Sequence, residues 1–293
     1  MKVKLFFFLL CAIIISACCG NEESEIISDN DKVLVEENEA IRQLIANVDN
    51  IAQPYVHHDI DTRSWRSFWR RIGRLFYNDA CGYAWGMRKG LSWQLSLGCG
   101  AAASIFTAIA AKDANVYMTA ERVTYQDATE AGILGNAHNQ VVCAVAQENV
   151  QDLEADVELV IEANDKAANS ATATATTRTD VGYVEPGGEA ISREIQEEFN
   201  FAQTMAKVAD LDEANEKAKT LIANTNYCDD LDLLKEYVSN IVEIGDKTQI
   251  RLFTRDLENN IDSAGLSLER ASILKSMIAI SENSYLLWRV EAK

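Results

Sequence analysis

"GYAWGMRKGLSWQLSLGCGAAASIFTAIAAK", Gly82 to Lys112, is the stretch whose reading decides the fold. Gly82, Gly86 and Gly90 fall four apart. Beyond the basic pair Arg88 and Lys89, the chain runs from Leu91 to Ala111 without a charge, and Gly98 with Ala102, and Gly100 with Ser104 and Ala108, repeat the spacing. Residues four apart share a helix face. Glycine inside a helix costs about 1 kcal/mol relative to alanine, so a row of small residues needs a reason, and the close approach of two helix backbones supplies one. The uncharged run is long enough to cross a bilayer as a helix. However, Ser92, Gln94, Ser96, Ser104 and Thr107 interrupt it, and alanine and glycine contribute little apolar transfer energy. The expectation is a helical hairpin packed inside the fold, with Gly82, Gly86, Gly90, Gly98 and Ala102 as its helix-packing residues.

Just upstream, Trp65, Phe68, Trp69, Ile72, Leu75 and Phe76 recur at helical spacing, and Arg63, Arg66, Arg70 and Arg74 occupy the opposite face. From Arg63 to Lys112 there are eight Lys or Arg and one acid, Asp79, in a chain of net charge −18. Such a contrast predicts that the basic stretch docks internally on the acidic remainder. The same net charge disfavours a nucleic-acid partner, because phosphate backbones are held chiefly by lysine and arginine. With only 2 prolines in 293 residues, abundant alanine and few aromatics, the fold class expected is all-α: a helical bundle around a central Gly/Ala-rich helical hairpin.

Apolar periodicity places further helices at 33–51, 126–149, 150–168, 191–209, 211–224, 231–245, 247–262 and 266–288. The run "ANSATATATTRTDVGYVEPGGEA" has no helical period and contains Pro186, Gly187 and Gly188, so it reads as a linker. The expected organisation is a helical region at 32–168 that contains the hairpin (63–112), a linker or long loop at 169–190, and a helical bundle at 191–293.

The first residues, "MKVKLFFFLLCAIIISACCG", combine Lys2 and Lys4 with an apolar run from Leu5 to Ile15 that is too short for a stable span. Ile15, Ser16, Ala17 and Cys18 resemble the lipobox of bacterial lipoproteins, and the acidic residues that follow resemble the export signal of Bacteroidota surface lipoproteins. The resemblance implies a signal peptide at 1–17, cleavage between Ala17 and Cys18, and lipidation of Cys18. It also implies a bilayer partner reached through the acyl chains, and attachment at the outer membrane facing the periplasm or the exterior. Residues 18–31 are acidic and rich in serine and asparagine, and are expected to form a flexible tether.

Candidate chemistry is sparse. Cys19, Cys81, Cys99, Cys143 and Cys228 show no Cys-x-x-Cys spacing; Cys81 and Cys99 could pair if their helices form a hairpin, while buried free cysteine is the commoner state in an alanine-rich core. "HHDID" offers His57, His58, Asp59 and Asp61 as metal-ligand types, but no distant partner completes a set, so no metal and no cofactor is expected. His138 lies on an apolar face and is expected as a hydrogen-bonded core histidine. No Gly-x-Ser-x-Gly elbow or phosphate-cradling glycine loop occurs. The expected function is therefore a non-catalytic binding or structural role for a cell-envelope lipoprotein, with an envelope protein as partner. The alternative is a membrane-active protein: residues 65–111 resemble glycine-zippered, bacteriocin-like or pore-forming hairpins, which implies insertion into a bilayer once the acidic remainder is displaced.

Overall fold

The computed structural model describes residues 29–56, 63–111, 114–118, 130–149, 197, 200–222 and 225–292. The chain divides into two compact units, 1–36 and 37–293. Of the first, the described part is the opening of helix α1 (Asp29–Ala52), which begins inside the segment expected to be a tether. The second unit holds the rest of α1 and every later element.

The fold class is all-α, as expected. After α1 comes a 3-10 turn, Gln53–Tyr55, with Pro54 near its start. Helices α2 (Arg63–Arg88) and α3 (Trp93–Ala110) form the hairpin. They are followed by strand β1 (Ala114–Met118) and helix α4 (Glu130–Asn149). Residues 200–206 are helical. The remainder consists of α5 (Leu211–Ile222), α6 (Cys228–Ile244), α7 (Lys247–Ser263), α8 (Leu268–Leu287) and strand β2 (Trp288–Ala292). The strands pair antiparallel, Ala114 opposite Ala292 and Met118 opposite Trp288. This small ribbon was not expected: Trp288 ends the helical pattern in the sequence, yet it opens β2.

Local chemistry sets the helix ends. Ser92, Asp246 and Ser267 are N-caps whose side chains accept from the backbone N–H groups of Leu95, of Thr248 and Gln249, and of Arg270 respectively, which satisfies donors left open in a first turn. Gly245 ends α6 at φ +67°, a left-handed conformation in which a β-carbon would be strained.

Two faces of α2 do different work. Along one it runs against α3; elsewhere it receives α5, α6 and α8, while α8 also packs on α4 and α7. The buried cluster draws Phe76, Tyr77 and Leu97 from the hairpin, Val141 from α4 and Tyr237, Phe253 and Met277 from the carboxy-terminal helices. Tyr237 and Phe253 stack with ring centroids 5.4 Å apart. One core therefore joins residues from both sides of the expected 169–190 linker, which itself lies outside the described residues, as do 150–168. Burying each such large side chain contributes roughly 1.5–3 kcal/mol, and this shared burial makes 37–293 one compact unit.

Among the described residues, no helix is long and apolar enough to cross a membrane. Residues Leu97, Cys99, Ala101 and Ile105 of α3 belong to the core instead.

Candidate functional site

The hairpin's inner seam is the first place where chemistry concentrates. A β-carbon on Gly82 would stand 2.5 Å from the Cys99 carbonyl oxygen, and one on Gly86 would stand 2.8 Å from the Cα of Ser96. On α3 the matching position is Gly100, where a β-carbon would be 2.7 Å from the Asp79 carbonyl oxygen. These glycines let two backbones touch.

The expected packing row needs one correction. Gly90 is not in the seam. It lies in the turn between the helices at φ +78° with open space beside it, because α2 has already ended at Arg88. Ala102 is buried and packs with Ala103, Ala202 and Phe106, while Ser96, Cys99, Gly100, Ser104 and Thr107 are among the α3 residues that meet α2. Gly98 is buried.

Buried polar residues gather along this seam. Asp79, the lone acid of the basic stretch, is completely buried. Its Oδ2 accepts from the Ser104 hydroxyl at 2.9 Å and from the Ser284 hydroxyl, which reaches it from α8. Ser104 accepts in turn from the Trp288 indole N–H at 2.9 Å. His138 of α4 brings Nε2 to 4.0 Å from the same carboxyl oxygen. Asn78 donates to the Thr107 hydroxyl at 2.9 Å and to the Met205 carbonyl at 3.1 Å. Burial pushes the Asp79 carboxyl well above the usual range, against the two serine hydrogen bonds. Burial also pushes the His138 imidazole down to about 4, against the pull of Asn139 and the Gly100 backbone.

Serine, histidine and aspartate are thus brought together, but not as a nucleophile relay. Ser104 donates to Asp79 rather than to His138, and all three side chains are closed to solvent. The hydrogen bonds tie α3 and α8 to the one carboxyl group of α2, with His138 of α4 4.0 Å away.

A second polar cluster joins the ends of other helices. Arg270 donates to Asp230 Oδ1 from Nε at 3.0 Å and from Nη2 at 2.6 Å, to Glu37 at 3.3 Å, to Asn38 at 2.6 Å and to the Asn226 carbonyl at 3.1 Å. Arg88, at the end of the basic helix, reaches the other Asp230 oxygen at 2.6 Å, and its guanidinium lies 3.1 Å from the Tyr227 ring centroid. Burial raises the Asp230 carboxyl despite both arginines. Glu37 stays below the usual carboxylate range: burial opposes this, and hydrogen bonds from Ser267 and Arg270 outweigh it. The expected internal docking of the basic stretch is visible here and at Lys89, 3.3 Å from Glu197.

The other expected residues fare unequally. Cys81 and Cys99 are both buried. His138 is a core histidine bonded to Asn139. Ala17, Cys18, Cys19, His57, His58, Asp59 and Asp61 lie outside the described residues, and among the described residues no cluster of His, Cys, Asp or Glu could hold a metal. In the sequence Asp79 stands out as the one acid among basics, with no role attached. The signal was its position: Asp79, Gly82 and Gly86 lie three and four apart, which places the acid on the face that the glycines bury.

No protein-family model, no curated protein and no solved structure matches the chain.

Proposed function

We propose that the chain is a cell-envelope lipoprotein, held in the bilayer through an acylated Cys18 after cleavage between Ala17 and Cys18, whose helical body is a non-catalytic binding or structural module. The observation that carries the non-catalytic part is the placement of the chemistry-bearing side chains: Asp79, Ser104 and His138 are all completely buried, and the bond between Asp79 and Ser104 ties two helices together. Support for the anchor is the order of Lys2, Lys4, the apolar run and Ile15-Ser16-Ala17-Cys18. An outer-membrane location, facing the periplasm or the exterior, and an envelope protein as partner belong to the same reading.

The test is metabolic labelling with a fatty-acid analogue in a bacterium that processes lipoproteins. Label and membrane fractionation are expected for the natural sequence and lost in Cys18→Ala; label retained in the variant overturns the anchor. The membrane-active alternative is the weaker reading, since insertion would require the hairpin to give up the close seam at Gly82 and Gly86 and every bond to Asp79. Purified Cys18→Ala protein is expected to release no dye from vesicles of anionic phospholipid, and release at low protein-to-lipid ratio would favour the alternative.

A further inference from the structure

Helix α1 is bound into the bundle along one stripe. Ile41, Leu44, Val48 and Ala52, three and four apart, are buried, whereas Arg42, Gln43, Ala46, Asn47, Asp49 and Asn50 are exposed. The second compact unit begins at Glu37. There Oε1 accepts from the Ser267 backbone N–H at 2.6 Å and Oε2 from Arg270 Nη1 at 3.3 Å, while Asn38 Oδ1 accepts from Arg270 Nη2 at 2.6 Å. Farther along, Arg42 pairs with Asp229 at 3.2 Å, and Asp49 Oδ1 accepts from Asn240 Nδ2 at 2.9 Å. Beyond the helix, the Tyr55 hydroxyl donates to Asp256, and its ring centroid lies 6.3 Å from that of Phe253.

The donors that the bundle lends to Glu37, Asn38 and Asp49 each keep a partner without them. Arg270 retains both bonds to Asp230 and the one to the Asn226 carbonyl. Asn240 Nδ2 retains its bond to the Glu236 carbonyl at 2.9 Å. Ser267 is exposed, so water can take the place of Glu37 on its N–H. A helix that lifts off in this way strands no buried charge or donor among them, and its cost is the exposure of one apolar stripe. Helix α8 is the contrast. Its departure would strip Asp79 of the Ser284 hydroxyl and the Phe76 carbonyl of the Ser281 hydroxyl, both inside the core.

We infer that α1 is a strap that detaches from the bundle as a unit between Glu37 and Ala52, with the contact of Glu37 and Arg270 as its clasp and Tyr55 as the pin behind it.

The purpose of the strap rests on the anchor proposed at Cys18, since α1 is the chain's link between that cysteine and the bundle. With the clasp closed, the leash is residues 19–36. With the clasp open it gains residues 37–52, which reach roughly 50 Å further when extended. The strap therefore sets how far the body can stand from the membrane. A pull on the anchor meets the clasp first, because Glu37 is where the bundle's unit begins.

Hydrogen–deuterium exchange of the purified full-length Cys18→Ala protein, resolved by mass spectrometry, reads the strap without using the anchor. Backbone amides of 41–52 are expected to exchange about tenfold faster, or more, than those of α6 and α8, which open only with the whole bundle. Exchange of α1 at the rate of α6 and α8 would mean that it leaves only on global unfolding, and overturns the inference. Adding Glu37→Gln removes the charge from the clasp and is expected to speed α1 by about a further tenfold while α6 and α8 stay unchanged. Unchanged α1 rates, or an equal rise in all three helices, overturn the clasp. Should the Glu37→Gln protein not fold, the comparison of helices without that substitution still decides. Failure of the anchor would show in acyl labelling and leave these rates as they are, so the two failures are distinguishable.

Discussion

Gly82 of α2 lies so close to Cys99 of α3 that a β-carbon on residue 82 would stand 2.5 Å from the Cys99 carbonyl oxygen. Backbone cannot swing aside as a flexible side chain can. Gly82→Ala and Gly86→Ala are therefore expected to force the hairpin apart, at a cost of roughly 1–3 kcal/mol or more each. Gly90→Ala meets no neighbour, and its cost is only that of placing alanine at φ +78°, about 1 kcal/mol. Urea denaturation midpoints check the ranking, and a Gly90 variant as damaging as the Gly82 variant would refute the seam.

Arg270 binds Asp230 and Glu37 together, and its side chain is 4% exposed. Arg270→Met leaves a buried carboxylate on Asp230 with Arg88 as its remaining cation, and is expected to destabilise by about 3–5 kcal/mol. Arg42, whose pair with Asp229 at 3.2 Å leaves the arginine side chain 59% exposed, is the contrast. Arg42→Ala should cost at most about 1 kcal/mol. Equal losses in thermal unfolding would show that the buried cluster carries no special weight.

Glu258 on α7 and Glu282 on α8 are each pushed up to about 7, chiefly by burial; Glu282 is raised further by Glu258 and lowered in part by Arg251 at 3.6 Å. An unfolded glutamate titrates near about 4.3. Between that value and about 7 the folded chain holds more protons than the unfolded chain, so this pair makes stability fall as pH rises through that window and level off above it. Glu282→Gln should flatten the slope and raise the melting temperature most at about pH 8. An unchanged slope from about pH 5 to about pH 7 would contradict the assignment.

Cys81 and Cys99 are closed to solvent, and burial raises the Cys81 thiol, whereas Cys143 and Cys228 are partly exposed. In the folded protein an alkylating reagent should modify Cys143 and Cys228 first, leaving Cys81 and Cys99 until unfolding. Mass spectrometry of the modified peptides reads the order, and early labelling of Cys99 would mean that the hairpin opens in the native state.

The sequence by itself determined what repeats every three to four residues. The all-α class, the hairpin around the basic turn and the buried placement of the uncharged run follow from apolar spacing, small-residue spacing and the scarcity of proline, each a local property of one helix. The core role of His138 was also legible, since a lone histidine on an apolar face has to find a hydrogen bond there. Tertiary structure alone decided which small residues touch. Gly90 and Gly86 share a spacing, but only Gly86 meets Ser96, because the helix ends between them. It also decided what Asp79 is for: Ser284 reaches it across 205 positions of chain. No local period links such residues, and only the packing of α8 against the hairpin removes the water that would otherwise have satisfied both. The ribbon of 114–118 with 288–292 has the same origin, because a strand's hydrogen bonds lie with a distant partner while a helix makes its own within a turn.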